Sequence, residues 1–157
     1  MPIVGVISDT HGLLRPQAVV ALRGVDHIIH AGDIGAPEIL DALRSIAPLT
    51  AVRGNNDRDA WAGSLQETAQ IEIGGKRIYA LHDLSGLDIE PVRRRIAVVI
   101  SGHSHKPRIE DRDGVLFVNP GSAGPRRFNL PVSVAMLSIT SRAALRARIV
   151  ELPLPPR

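Results

Sequence analysis

The sequence predicts an α/β fold in which two β-sheets pack together and helices lie outside them. Three observations carry this expectation. Short apolar runs of strand type alternate with amphipathic segments through the first third of the chain. After Trp61 the alternation gives way to strand pairs joined by Gly-Gly and Asp-Gly. With 157 residues, 44% of them hydrophobic and 22% charged, the chain is long and apolar enough for one ordinary globular core.

The run "IVGVIS" reads as a first buried strand. "PQAVVALRG" reads as a helix, with Pro16 near its start and Gly24 as its stop. "VDHIIHA" is a second strand. "APEILDALRSIA" is a second helix, because Ile39, Leu40, Leu43 and Ile46 share one face. "PLTAVRG" is a third strand, and the β-α-β-α-β order predicts parallel neighbours with right-handed crossovers. "TAQIEI" and "KRIYALH" flank Gly74-Gly75 as a hairpin. "DIEPVRRRI" predicts a short helix whose carbonyl end would favour the cations Arg93, Arg94 and Arg95. "AVVISG" is another buried strand, and "RIEDRDGVLFVN" a hairpin turning at Asp113-Gly114. "VSVAMLSI" and "AALRARIVEL" are closing strands, the second also open to a helical reading. The domain is expected to span residues 1–152. The Pro-rich tail, 153–157, is expected to fray.

Composition narrows the function. There is no cysteine, which excludes a disulfide framework, an iron–sulfur cluster and a thiolate zinc site, and fits a cytoplasmic location. No basic run precedes the first apolar stretch, and no apolar segment approaches ~18 residues, so neither a signal peptide nor a membrane partner is expected. The net charge is +3 and the pI about 10.2, almost entirely from arginine; Lys76 and Lys106 are the lysines. Such an excess suits anionic partners. Aromatic residues make up only 3%, which leaves few stacking platforms for single-stranded nucleic acid, and the small size leaves no room for a dedicated cap or groove domain, which ranks that partner last.

Five polar clusters follow apolar strands: "SDTH" with Asp9 and His11, "AGD" with Asp33, "RGNND" with Asn55 and Asp57, "LHD" with His82, and "SGHSH" with His103 and His105. Sites in open α/β sheets form beyond the carboxyl ends of strands, so adjacent strands would bring all five to one rim. Each cluster alone reads as readily as a polar turn. Together they gather four of the six histidines, two aspartates and an asparagine. An all-nitrogen-and-oxygen set of that mix suits two divalent transition ions.

The order D-x-H, G-D, G-N-x-D, H, G-H-x-H resembles the calcineurin-like metallophosphoesterases, and more narrowly their small single-domain bacterial and archaeal phosphodiesterases. The resemblance runs from Ile3 to Phe128 and includes "NPGSAGPRR". It implies a four-layer α/β/β/α sandwich. It also implies a first ion on Asp9, His11 and His105, a second on Asn55, His82 and His103, and Asp33 bridging both. Manganese is the favoured ion, with iron, zinc, nickel and cobalt as alternatives. The implied activity is hydrolysis of a small phosphoester, a diester foremost, by a metal-bridging hydroxide, with Asp33, Asn55 and His103 at its catalytic heart.

The chain also departs from the family pattern. Many members carry histidine after the G-N asparagine, where it can protonate the leaving group; this chain has Asn56. Loss of such an acid predicts slower turnover or a need for good leaving groups, since general acid catalysis is worth ~10²–10⁴-fold. Asp57, the usual partner of that histidine, is then left to brace its loop. Asp83 and Leu84 follow His82 where the family often shows Gly then His. Asn56 and Arg58 are candidates for substrate contact, with Arg126 and Arg127 behind them. His30 is a candidate to support the site from behind, and His27 a structural residue. Asn119 and Ser122 are expected to shape a turn near the site. A homodimer is compatible with all of this. The competing function is a non-catalytic metal-binding scaffold on the same fold, as in the retromer subunit that resembles this family. The seven intact ligand candidates favour the enzyme.

Overall fold

The computed structural model describes residues 1–127, 129–140 and 144–155. Two five-stranded sheets form the molecule. The first runs β10(Leu145–Glu151)-β9(Ser133–Ile139)-β1(Ile3–Ile7)-β2(His27–His30)-β3(Leu49–Ala51). The second runs β4(Thr68–Ile73)-β5(Lys76–Leu81)-β6(Ile96–Ile100)-β8(Val115–Asn119)-β7(Arg108–Arg112). The predicted two-sheet sandwich is therefore present, with β1, β2 and β3 parallel as the strand–helix alternation requires.

Period-two burial decides which side chains face which layer. On β1, Val4 and Val6 point to the second sheet, whereas Ile7 points to the helices. The space between the sheets is filled by Val4, Val6, Ile29 and Leu137 from one side and Ile78, Val98, Ile100 and Val118 from the other. Outside the first sheet lie α1(Pro16–Leu22) and α2(Pro37–Arg44), both entered through proline. They bury Ala18, Leu22, Ile39, Leu40 and Leu43. Both hairpins turn where foreseen: Gly74-Gly75 and Asp113-Gly114 each place two successive residues at positive φ, the backbone of a type I′ turn.

Two expectations need correction and one open choice is settled. Residues 91–95, expected as a helix, form a turn. Val92 and the three arginines face solvent, so no apolar stripe anchors a helix there, and Arg95 at φ 57° ends the turn. The outer face of the second sheet is thus covered without an α-helix, by a 3₁₀ turn over Leu84–Gly86 and by Leu87 and Ile89. The last element, left open between strand and helix, is strand β10. Leu145, Ala147 and Ile149 alternate onto the inner core while Arg146 and Arg148 face out. The tail is held through residue 155: Leu154 packs on the helix-side core and the Pro155 carbonyl accepts from Arg126. Residues 156 and 157 of that tail, and Phe128 at the end of the motif run, lie outside the described residues. Among the described residues no helix is long and apolar enough to cross a membrane.

The topology positions the rim. β1, β2 and β3 are parallel, and so are β5, β6 and β8, so six carboxyl ends gather at one edge of the sandwich. The two sheets are stitched together there: His82 Nδ1 lies 2.8 Å from the Ala31 carbonyl, and the Ser122 hydroxyl donates to the Asp9 carbonyl at 3.0 Å.

The packing of α1 on β1 yields a test. Leu22 is fully buried, and a methyl group at Gly5 would meet its Cδ2 at 2.5 Å. Leu22→Ala is expected to destabilise the fold by about 2–5 kcal/mol. Gly5→Ala is expected to cost about 1–3 kcal/mol in the parent and clearly less beside Leu22→Ala. Urea unfolding of the two single variants and the double variant measures both.

Candidate functional site

Seven described non-glycine residues have positive φ: Asp9, His11, Asp33, Arg95, His103, His105 and Asp113. Five of them are predicted ligands. A side chain in this region costs about 1–2 kcal/mol, and such strain concentrates at functional sites. The loops turn back sharply just past each strand, and that turn aims the side chains inward.

The predicted ligands come together. Around Asp9 Oδ1 lie His105 Nε2 at 3.4 Å, His11 Nε2 at 3.7 Å and His82 Nε2 at 3.9 Å. Around Asp33 Oδ2 lie His82 Nε2 at 3.3 Å and His11 Nε2 at 3.7 Å. His103 Nδ1 is 3.2 Å from Asn55 Oδ1, and its ring stands edge-on to that of His82, centroids 5.2 Å apart. His11 and His105 pair on the opposite side, with centroids at 5.3 Å. The two teeth of G-H-x-H thus serve different sides, one with His11, the other with Asn55 and His82.

The orientation of these groups fits metal ions. Asp9, His11 and His105 offer ligand atoms within 4.8 Å of one another, and so do Asp9, Asp33 and His82. Asp9 Oδ2 is satisfied by the Ser8 hydroxyl at 2.7 Å and the His103 amide at 3.1 Å. Its Oδ1 is buried with no hydrogen-bond partner, and so is His82 Nε2. Donation from His82 Nδ1 to Ala31 leaves the lone pair on Nε2, facing two carboxylates. That arrangement requires a proton or a cation between them. With no cation, burial pushes His82 down, but Asp33 and Asp9 outweigh it and raise its pKa above the ordinary value. Burial likewise pushes Asp9 up, yet His105, His11 and Ser8 hold it well below the usual carboxylate range. For Asp33, His82 and the Asn56 amide overcome burial in the same direction. The centre is built to keep both carboxylates ionised, and oxygen and imidazole ligands suit divalent transition ions.

The remaining candidates take supporting positions. Asn56 is exposed, yet both its amides are engaged by a ligand: its backbone N–H donates to Asp33 Oδ1 at 2.9 Å and its side-chain amide to Oδ2 at 3.0 Å. Asp57 is buried and accepts from the N–H groups of Ile34, Gly35 and Gly54, clamping two ligand loops together. Arg58 donates from Nε to the Asn55 carbonyl at 3.0 Å, with its side chain exposed. Asn119 holds the Gly102 carbonyl at 2.9 Å, and Ser122 holds Asp9. Arg126 donates to the Pro155 carbonyl, Arg127 is exposed, and His27 contacts Thr50 at the far end of β2. Ser8 and Thr10 were not singled out by sequence reasoning. Their signal is a run of three fully buried polar residues, Ser8 to Thr10, ending an apolar strand.

His30 is fully buried and accepts the Gly32 N–H on Nδ1 at 3.0 Å, so Nε2 carries the proton and donates to Thr10. One ring thereby fixes the loops of both Asp9 and Asp33. Burial lowers its pKa from 6.5 to about 4. The unfolded chain therefore takes up the proton first on acidification. The stabilisation is complete above pH 6.5 and is lost as pH falls towards 4, by about 3 kcal/mol from this residue. Denaturant unfolding in chelator at pH 7 and pH 4.5 is expected to show a larger loss on acidification in the parent than in His30→Gln, the raised His82 contributing with the opposite sign in both.

Comparison with known proteins shows the family. Residues 3–142 match the family model described as the calcineurin-like phosphoesterase superfamily domain. A probable metallophosphoesterase of Methanocaldococcus jannaschii is 37% identical, covering 94% of this chain and 80% of that protein. A phosphodiesterase of the same archaeon is 28% identical, covering 75% of this chain and 82% of its own length. Among solved structures, wild-type Vps29 of Entamoeba histolytica, crystallised with Zn²⁺, superposes with a TM-score of 0.72 at 26% identity, over 95% of this chain and 98% of that one. The chain belongs to the calcineurin-like phosphoesterase superfamily, a metal-dependent family.

Proposed function

We propose that this chain hydrolyses phosphoesters, phosphodiesters foremost, at a centre of two divalent cations, manganese by preference and otherwise iron, zinc, nickel or cobalt. Asp9, His11 and His105 hold one cation. Asn55, His82 and His103 hold the other, and Asp33 is shared. When bound, the cations bring the pKa of water towards neutrality and neutralise charge on the phosphate oxygens. The chain's own groups do the positioning. Ser8 and the His103 amide hold Asp9 so that Oδ1 faces inward. The Ala31 carbonyl fixes the tautomer of His82. Asn56 grips both oxygens of Asp33 and sets its rotation. Arg58 stands exposed beside Asn55 and offers its terminal nitrogens to a phosphate. Asp33, Asn55 and His103 are the groups nearest the reacting phosphate in this reading.

The observation that carries it is the pair of buried, unpartnered atoms, Asp9 Oδ1 and His82 Nε2, 3.9 Å apart and close to Asp33. One observation favours a second reading, a non-catalytic metal-binding scaffold. Asn56 cannot act as a general acid, and its amide is committed to Asp33.

A screen with bis(p-nitrophenyl) phosphate and added manganese separates the two. The enzyme reading expects turnover in the parent and a loss of about 10²-fold or more in Asp33→Asn, with less metal retained on dialysis. Metal uptake with no turnover across all five ions supports the scaffold. Hydrolysis by Asp33→Asn at the parent's rate removes Asp33 as the shared ligand.

A further inference from the structure

A groove of about 270 Å³ opens beside His103 on the outer face of the second sheet. Its lining includes Asp83, Lys106, Arg108, Arg112 and Phe117. The register of the edge hairpin explains the order along it. Arg108 pairs with Asn119, Glu110 with Phe117 and Arg112 with Val115, so alternate residues of β7 line one wall. Asn119 holds the Gly102 carbonyl and the Ser104 hydroxyl. The Arg108 end is therefore the end next to His103, with Arg112 about 13 Å further along the strand.

This wall carries surplus positive charge. One oxygen of Glu110 accepts both Arg108, at 2.7 Å, and Arg112, at 3.0 Å. Arg112 also lies over the Phe117 ring, 4.8 Å from its centroid. The Lys106 ammonium, three residues beyond His103, has no ionic or hydrogen-bonding partner among the described residues. On the other flank a second depression of about 250 Å³ lies against Asn55 and His82. Its arginine, Arg53, is already paired with Glu67 at 3.0 Å. Counted over their linings, the groove at His103 sets Lys106, Arg108 and Arg112 against Asp83 and Glu110, whereas the depression at Asn55 and His82 sets Arg53 against Glu67 and Asp83.

We infer that the groove along β7 binds a second phosphate of the substrate, on the arm of the phosphodiester that meets Lys106 and Arg108. The inference rests on the phosphodiester reading and names its substrate class: a diester bearing an additional phosphomonoester. The reacting phosphate is held at the centre, so these two side chains determine specificity and do not take part in the bond-breaking step. The uncharged arm takes the opposite flank, beside Arg53 and Glu67.

Two chromogenic diesters test this: the p-nitrophenyl ester of thymidine 5′-phosphate, and the same ester with a 3′-phosphate. With manganese, the 3′-phosphate is expected to lower KM about tenfold with little change in kcat, an advantage that shrinks as salt rises. Lys106→Gln and Arg108→Gln are each expected to remove most of that advantage and to leave hydrolysis of the 3′-hydroxyl ester unchanged. Equal KM values in the parent, or an advantage that survives both substitutions, overturn the inference and leave the phosphodiester reading standing. If neither ester is cleaved with any of the five ions, the phosphodiester reading fails. The groove is then judged by calorimetry with thymidine 3′,5′-bisphosphate and thymidine 5′-phosphate. Tighter binding of the bisphosphate, lost in Lys106→Gln, supports it; equal binding overturns it.

Discussion

Two buried carboxylates, Asp9 and Asp33, aim at the same small space, and the architecture of the rim serves to hold them there. Their ligand atoms lie within 4.8 Å of a common set with His82. Two full charges at that range repel by about 3–4 kcal/mol even at an effective dielectric of 20. Neutralisation by proton uptake is the usual escape for a buried acid. Here it is blocked, because both groups are held below the usual carboxylate range by the hydrogen bonds and imidazoles around them. The opposing charge must come from a proton on His82 or from a cation, and either would sit at the inward Nε2 of His82.

Holding such a centre demands stiffness, and the chain obtains it by letting loops touch at glycine. A methyl group on Gly54 would strike the backbone nitrogen and carboxylate of Asp33. One on Gly102 would strike the Ser8 hydroxyl and reach Asp9 Oδ2 at 2.7 Å. These two contacts join the AGD loop to the GNND loop, and the first sheet to the second. Asp57 and His30 complete the clamp through backbone N–H groups rather than through the ligands themselves. The backbone strain at Asp9, His11, Asp33, His103 and His105 is thus offset by hydrogen bonds made one step behind the side chains that use it.

What was legible in the sequence follows from the same geometry. Parallel strands must end on one edge, so polar residues just past "IVGVI", "HIIH" and "IAVVI" could be grouped without knowing any contact. Turn chemistry was equally readable at Asp113-Gly114, where two positive φ angles are needed. The segment 91–95 was not, because its charge pattern suits a helix and only the missing apolar face rules one out. Nor was the role of Asn56. A side chain beside a predicted ligand can face substrate or ligand, and only the loop's path, with its own N–H already on Asp33, turns the amide onto Asp33. Ser8 escaped for a related reason: its value lies in one 2.7 Å bond that fixes which oxygen of Asp9 is left over.

The rim is also graded in burial, and the gradient sets the direction of approach. Asp9, Asp33, His82 and His105 are nearly or wholly buried, whereas Asn55 and His103 are exposed. The Asn55–His103 side is therefore the one open to solvent. Both grooves open against that side, one at His103 and one at Asn55 and His82. Asp83 lines both of them, with Oδ2 3.7 Å from His103 Nε2 and its other oxygen tied to Ser85. An anion entering there meets a carboxylate on the threshold, with Lys106, Arg108 and Arg112 in the lining of one groove and Arg53, paired with Glu67, in the other. In the proposed reading, discrimination between the two arms of a diester depends on the side chains of β7 and its approach, and not on the proposed metal ligands, which are the same for either arm.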